Sequence, residues 1–345
     1  MFAVLDSGFA PETLTSWSAP WAGLKVLVVG LGEGGFALAD TVAELGAHTH
    51  VVQLGDDADR LTILGVLGVS VHTVGSDAEI ADLAKELAPD LVLLSPDWVP
   101  DREIESALWE SDLIVWSDVE FSWRVADKTG TRPDIVLCAG EQKGSWVADV
   151  AQRFLLHASQ RAARGGHGAP SVLDALRHPD GVDVVLWSLS DRQLWRMGAD
   201  ESSLRRPRVS VYFAPGEDTD VSTIEAVYTH TVESCIYKPG TQSETALHAA
   251  SVVEGARAIG IVGDTPGMSD LGRVGEVICD RAFLPDRKDR ALELCTVDEL
   301  VGAGFSTPES VEVAIAALGI ARALDVPPEL LGGALKDGGE WPEHK

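Results

Sequence analysis

The sequence predicts an α/β protein: a Rossmann-like, doubly wound parallel sheet over residues 1–130, a second α/β unit over 131–335, and a polar tail at 336–345. Three observations predict it. Short apolar runs alternate with amphipathic stretches along nearly the whole chain. The runs are too continuously apolar for a one-faced sheet, which points to parallel strands covered on both sides. A chain of 345 residues with 45% hydrophobic content is long enough for two such units.

The first unit reads in order. "GLKVLVVGLGEGGFALADTVAELGA" (23–47) is strand, glycine turn and helix, and "HTHVVQL" follows as a strand. "DRLTILGVLGV" is a short helix, "SVHTV" a strand, "EIADLAKELAP" a helix and "DLVLLS" (90–95) a buried strand. "PDREIESALWES" opens a helix with Pro at its head, "DLIVWSD" is a strand and "VEFSWRVADK" a helix. The turn-rich "KTGTRP" (128–133) closes the unit. In the second unit "DIVLCA" (134–139) is a strand, "SWVADVAQRFLLHAS" (145–159) a helix and "RGGHGAPSV" a glycine-rich loop. "DVVLWSL" and "VSVYFA" are strands, "TIEAVYTHTVESCIY" (223–237) is helical, and "RAIGIVG", "GEVICDRAFL" and "ALELCTV" are further strands. "TPESVEVAIAALGIARALDVPPELLGGAL" gives a long helix, then a short one.

Charge and composition exclude several function classes. A net charge of −27 repels phosphate backbones and anionic membranes, so nucleic acid and membrane are poor partners. There is no basic segment leading into an apolar run at the start, and no stretch of ~20 apolar residues. With scattered Cys138, Cys235, Cys279 and Cys295 and no CxxC, a cytoplasmic chain with reduced thiols is expected. The nine His form no metal spacing, so no metal site is expected.

Two glycine turns carry chemistry. In "GLGEGG" (30–35), Gly30 permits a tight turn, Gly32 admits a ligand's phosphate to the backbone, and Gly35 allows close packing of helix on strand. The helix behind it favours an anion. The structural alternative is a tight strand–helix turn with no ligand. A dinucleotide site also wants an acid at the end of the next strand, where Gln53 stands, and this weakens an NAD(P)-dependent oxidoreductase reading. The second turn, "CAGEQKGSW" (138–146), is nearly a phosphate-binding loop. Gly140 is in place and Ser145 could supply a hydroxyl, but Lys143 and Gly144 stand in reversed order and Glu141 adds an opposing charge. Here too the alternative is a turn that holds no triphosphate.

Taken in order, these pieces resemble the Mur ligases of peptidoglycan synthesis, nearest to the D-glutamate-adding ligase. The resemblance is carried by "GLGEGG", by "LLSPDWVP" (93–100) against an SPG-type loop, and by "WSDVEFSWR" (116–124). It continues through "GGHGAPSVLDAL" (165–176), "DVVLWSLSDRQL" (183–194) and "AIAALGIARALDVPPELLGGAL" (314–335). It implies a substrate pocket in the first unit, formed by Gly30, Gly32, Gly35, Gln53, Ser95 and Pro96, for a UDP-N-acetylmuramoyl-type ligand. In the second unit it implies ATP and Mg²⁺ chemistry, and the positions that carry it depart from the family pattern. The ATP lysine falls at Gly144, the magnesium-binding Glu at Ser188, the Asn and His of one segment at Phe213 and Asp218, and the carbamylated Lys near Glu233; "ESVEV" (309–313) replaces a segment with two Asn. "GGEWPEHK" resembles the linker to a third, C-terminal ligase domain, which the chain is expected to lack.

These departures favour a catalytically inactive protein of cell-wall synthesis with no cofactor, acting by binding the UDP-muramoyl ligand or a cell-wall synthesis protein. An active ATP- and Mg²⁺-dependent D-glutamate ligase with an atypical site is the alternative, and the oxidoreductase a second one.

Overall fold

The computed structural model describes residues 10–54, 58–166, 170–199, 204–213, 219–337 and 341. Their contacts divide the chain into two units. The first is built from Met1–Arg132 with Pro170–Asp180 and Ala199–Leu204, and the second from the rest.

The first unit has five parallel strands, β1 (Lys25–Val29), β2 (His48–Leu54), β3 (Ser70–Val74), β4 (Leu91–Leu94) and β5 (Val115–Ser117), in the order β3-β2-β1-β4-β5. Helices α1 (Glu33–Glu44), α2 (Ala58–Val66), α3 (Asp77–Leu87), α4 (Arg102–Trp109) and α5 (Asp118–Arg124) connect or follow them. Central β4 is buried along its length, whereas edge strand β3 is half-exposed. Strand β1 is followed by β2 on one side and flanked by β4 on the other. A crevice therefore opens at their carboxyl ends, where open α/β sheets receive ligands.

The second unit has nine strands among its described residues. They are β6 (Asp134–Ala139), β7 (Ala162–Gly166), β8 (Val184–Leu189), β9 (Val209–Tyr212), β10 (Ser234–Tyr237), β11 (Arg257–Ile261), β12 (Asp270–Val274), β13 (Val277–Asp280) and β14 (Leu292–Thr296). The order is β14-β13-β12-β11-β10-β9-β6-β8-β7, parallel from β7 through β12 and antiparallel beyond. The helices are α6 (Glu141–His157), α7 (Val172–Leu176), α8 (Asp191–Ala199), α9 (Val221–Tyr228), α10 (Gln242–Ala249), α11 (Val297–Gly302), α12 (Pro308–Ala323) and α13 (Pro328–Lys336). Of these, α7 belongs to the first unit, where it lies against α1 and α5. Its Arg177 reaches Asp40 at 2.5 Å and Glu44 at 3.5 Å on α1.

Helix α12 organises the second core. Residues Val313–Ala321 are buried throughout, an all-round apolar run that packs on α6 and on β9–β12. It is fixed at its start by a capping box between Thr307 and Ser310 with Pro308 in the first turn. Near its other end Arg322 pairs at 3.1 Å with Asp280, which is fully buried on β13. Asp280 also accepts the backbone N–H groups of Ala282 and Phe283 at 2.7 and 2.8 Å.

Three expectations are corrected. Residues 223–237 are not one helix: α9 stops at Tyr228, His230 turns at a φ of 61°, and 234–237 form β10. β-branched Thr229, Thr231 and Val232 disfavour helix continuation at this turn. The glycine-rich stretch from 164 begins as edge strand β7; His167–Ala169 lie outside the described residues. Helix α6 starts at Glu141, four residues earlier than expected. All five first-unit strands stand where the sequence places them.

All four cysteines are free and buried. Burial pushes each thiol up, with Cys235 and Cys295 reaching about 12. Native protein at pH 8 is therefore expected to react with a disulfide reagent far more slowly than unfolded protein. Rapid colour development before denaturant is added would contradict this packing.

Candidate functional site

In the first unit a cavity of about 460 Å³ opens at the carboxyl ends of β1 and β2 and under the loop after β4. Backbone of Gly30 and Gly32 forms one wall, Val52 and Ile80 an apolar one, and Gln53, Asp77, Asp97 and Trp98 carry its polar groups. Gln53 is only 4% exposed, and its Nε2 has no hydrogen-bond partner. A buried amide N–H with nothing to donate to costs roughly 1–3 kcal/mol. Asp77 accepts the indole N–H of Trp98 at 2.7 Å and so sets that side of the cavity.

The glycines are required by close approach. A Cβ on Gly35 would lie 2.0 Å from the carbonyl oxygen of Gly30, and one on Gly32 would lie 2.2 Å from Cγ of Asp97. The loop after β4 lies across the head of α1, with Pro96 over Gly34. Ser95 Oγ–H donates to Asp97 Oδ2 at 2.9 Å and accepts the N–H of Asp97 at 3.1 Å. Gly35 N–H donates to the same Oδ2 at 3.1 Å. Of the residues expected here, Gly30, Gly32 and Gln53 line the cavity, whereas Gly35, Ser95 and Pro96 pack at the glycine turn beside it. The structure adds Asp97, whose carboxylate the sequence displayed in "SPDW" without revealing that it folds back onto the glycine turn.

In the second unit the turn after β6 is tight. Gly140 has a φ of 114°, and a Cβ there would meet the carbonyl oxygen of Phe213 at 1.8 Å. Gly144 N–H donates to Gly140 O at 3.0 Å, so residues 140–144 already form the first helical turn. At Gly144 a Cβ would stand 2.5–2.8 Å from backbone atoms of Ala139, which leaves no room for any side chain. Lys143 points elsewhere and pairs with Glu309 on α12 at 2.5 Å. Ser145 accepts from Arg164 at 3.3 Å, and Arg164 also pairs with Asp149. Burial raises the Asp149 carboxyl above its usual range against the pull of Arg164.

Ser188 lies on β8 between Cys138 of β6 and Gly166 of β7, and is buried. Gly140, Gly144, Ser188 and Phe213 therefore share the carboxyl edge of the sheet, while Asp218 lies outside the described residues. Glu233 does not join them. It precedes β10 at the opposite end of the strands, where Arg208 holds it at 2.7 Å together with Asp134 and Asp325, each at 2.6 Å. The five residue steps from Asp134 to Ala139 along β6 put ~16 Å between that end and the turn.

Sequence reasoning also passed over two groups at the carboxyl edge. Lys238, just after β10, pairs with Glu312 of α12 at 2.6 Å. Asp191, at the head of α8, accepts from Tyr212 at 3.1 Å and from Thr219 at 3.0 Å. An acid three residues after Ser188 was the signal available for Asp191. ATP with magnesium would need a cation for its phosphates and oxygen donors for the metal. As held here, the edge does not fit them in the manner of the motif: Gly144 has no room for a side chain, Ser188 offers a hydroxyl and no charge, and Lys143 and Lys238 are tied to α12. Among the described residues no group of three or more His, Cys, Asp or Glu side chains could hold a metal ion, and no helix is long and apolar enough to cross a membrane.

No family profile matches the chain. Comparison with curated proteins does find relatives. It is 35% identical over 333 residues to the UDP-N-acetylmuramoylalanine–D-glutamate ligase of Leifsonia xyli, covering 91% of this chain and 64% of that one. It is 32% identical over 331 residues to the ligase of the same name from Streptomyces avermitilis, covering 92% of this chain and 67% of the relative. The chain thus spans about two thirds of the length of these relatives. Among solved structures, the UDP-N-acetylmuramate:L-alanyl-gamma-D-glutamyl-meso-diaminopimelate ligase from Neisseria meningitides superposes with a TM-score of 0.55 at 12% identity, over 94% of this chain and all of that one, which speaks for the fold. Two strand–glycine–helix turns in the expected order, the sheet topologies behind them and an alignment through both units lead to one conclusion: the chain belongs to the Mur ligase family.

Proposed function

We propose that the chain works in peptidoglycan precursor synthesis on a UDP-muramoyl substrate, as an ATP-dependent ligase of the D-glutamate-adding type. The observation that carries the substrate half of this reading is the crevice of the first unit, with its glycine-walled cavity at the carboxyl ends of β1 and β2. The reaction half is supported by the names of relatives that align with more than nine tenths of the chain. Phosphate charge at the second unit's carboxyl edge would then be met by Lys143 or Lys238, released from Glu309 or Glu312.

A second reading, binding of that ligand or of a cell-wall synthesis protein without ATP turnover, is favoured by the closed position at Gly144. One experiment separates the two. Purified chain is incubated with UDP-N-acetylmuramoyl-L-alanine, D-glutamate, ATP and Mg²⁺, with chromatography of the product and titration calorimetry of each component. Under the ligase reading the D-glutamyl product forms with stoichiometric ADP. UDP-ligand binding with neither ATP binding nor product selects the second reading, and silence toward the UDP ligand removes the ligase reading and the ligand-binding half of the second.

A further inference from the structure

An internal carboxylate occupies the place where the head of α1 would meet a ligand's negative charge. The first N–H groups of α1 have no partner within the helix and, with the aligned peptide dipoles, make an anion seat. Gly35 N–H already spends its bond on Asp97 Oδ2, and the Asp97 side chain covers Gly32. Ser95 steadies the carboxylate from the other side. The cavity continues beyond this contact to Gln53, and the anion position at its glycine turn is taken by the chain itself. Among the described residues that line the cavity, Asp77 and Asp97 are charged and there is neither Lys nor Arg.

We propose that Asp97 is a specificity gate: its carboxylate holds the anion seat of α1 and competes with the diphosphate of a UDP-linked ligand. This rests on the substrate reading above. A diphosphate reaches the glycine turn only when Asp97 leaves it, whereas an uncharged nucleoside needs no such exchange. The side chain is free to leave, since the contacts that hold it here are hydrogen bonds from Ser95 and Gly35 and no cation pairs with it among the described residues.

The test is titration calorimetry with UDP and, separately, uridine on the native chain, Asp97→Asn, Asp97→Gly and Asp77→Asn. Asn retains an oxygen able to accept from Ser95 and Gly35, so the Asp97→Asn protein should fold as the native one does, checked by its thermal melt. Expected is at least a tenfold gain in UDP affinity for both Asp97 variants, uridine affinity unchanged, and little gain from Asp77→Asn, which removes a carboxylate of the same cavity away from the seat. Equal UDP affinity in native and Asp97→Asn proteins overturns the gate and leaves the substrate reading standing. An equal gain from Asp77→Asn, or a parallel gain for uridine, overturns it too. If no variant binds UDP or uridine, gate and substrate reading fall together.

Discussion

Gly144→Lys, which puts a lysine where the family resemblance expects one, is expected to unfold or severely destabilise the second unit. Helix propensity alone argues the other way, since replacing an interior helical glycine by a better helix former gains up to ~1 kcal/mol. Sterics decide the sign. The Cβ of any residue at 144 would lie 2.5 Å from the carbonyl carbon of Ala139 and 2.6 Å from its oxygen. Those are backbone atoms of β6, a central strand held by β8 on one side and β9 on the other. Relief therefore requires α6 to lift from the sheet, and with it Val147, Ala148 and Ala151 from the core. Overpacking a core costs typically 1–3 kcal/mol and more where backbone must move, so a loss of roughly 3 kcal/mol or greater is expected. Gly144→Ala is the control: it should also lower the denaturation midpoint, although propensity predicts a rise. A Gly144→Ala protein as stable as the native one would show that the turn has room, and the closed-lysine argument would fail with it.

The other large effect is expected at Arg322. Replacing it by Leu leaves Asp280, which is fully buried, without its cation while its other carboxylate oxygen still serves two backbone N–H groups. Breaking a buried pair from one side costs about 3–5 kcal/mol, because the remaining charge stays desolvated. Arg322 also donates to Val326 O at 2.7 Å, so the turn after α12 loosens as well. Urea denaturation should show a lower midpoint for Arg322→Leu. The double variant with Asp280→Asn should recover part of the loss, since a neutral amide costs less to bury. If the single variant melts within experimental error of the native chain, the pair carries no such weight.

How much of this could be read in advance depended on the kind of signal. Buried parallel strands announce themselves through unbroken apolar runs, which is why β1, β4 and β6 stand where expected. The glycines at 30, 32, 35 and 140 were legible as turn residues: Gly35 and Gly140 stand against backbone carbonyls, and Gly30 and Gly32 against the side chains of Trp98 and Asp97. The start of α6 was misplaced because a loop was expected of a near-motif; Glu141, Gln142 and Lys143 are ordinary helix formers, and an acid suits a helix N-terminus. Glu233 was placed by the resemblance alone, and the turn at His230 followed by β10 sets it at the opposite end of the sheet. Asp97 and Asp191 escaped because their roles arise from where loops fold back, which periodicity does not encode.

Helix α7 has a consequence for how this chain comes off the ribosome. It lies between β7 and β8 in the order of synthesis, yet it covers α1 and α5, and Arg177 clasps Asp40. At ~5–20 residues per second, several seconds pass after β5 has emerged before that cover exists. During the interval β6, α6 and β7 are translated too, so the two bodies of the protein share a window of assembly, and a fragment cut at the apparent boundary near residue 130 would carry a bare apolar flank.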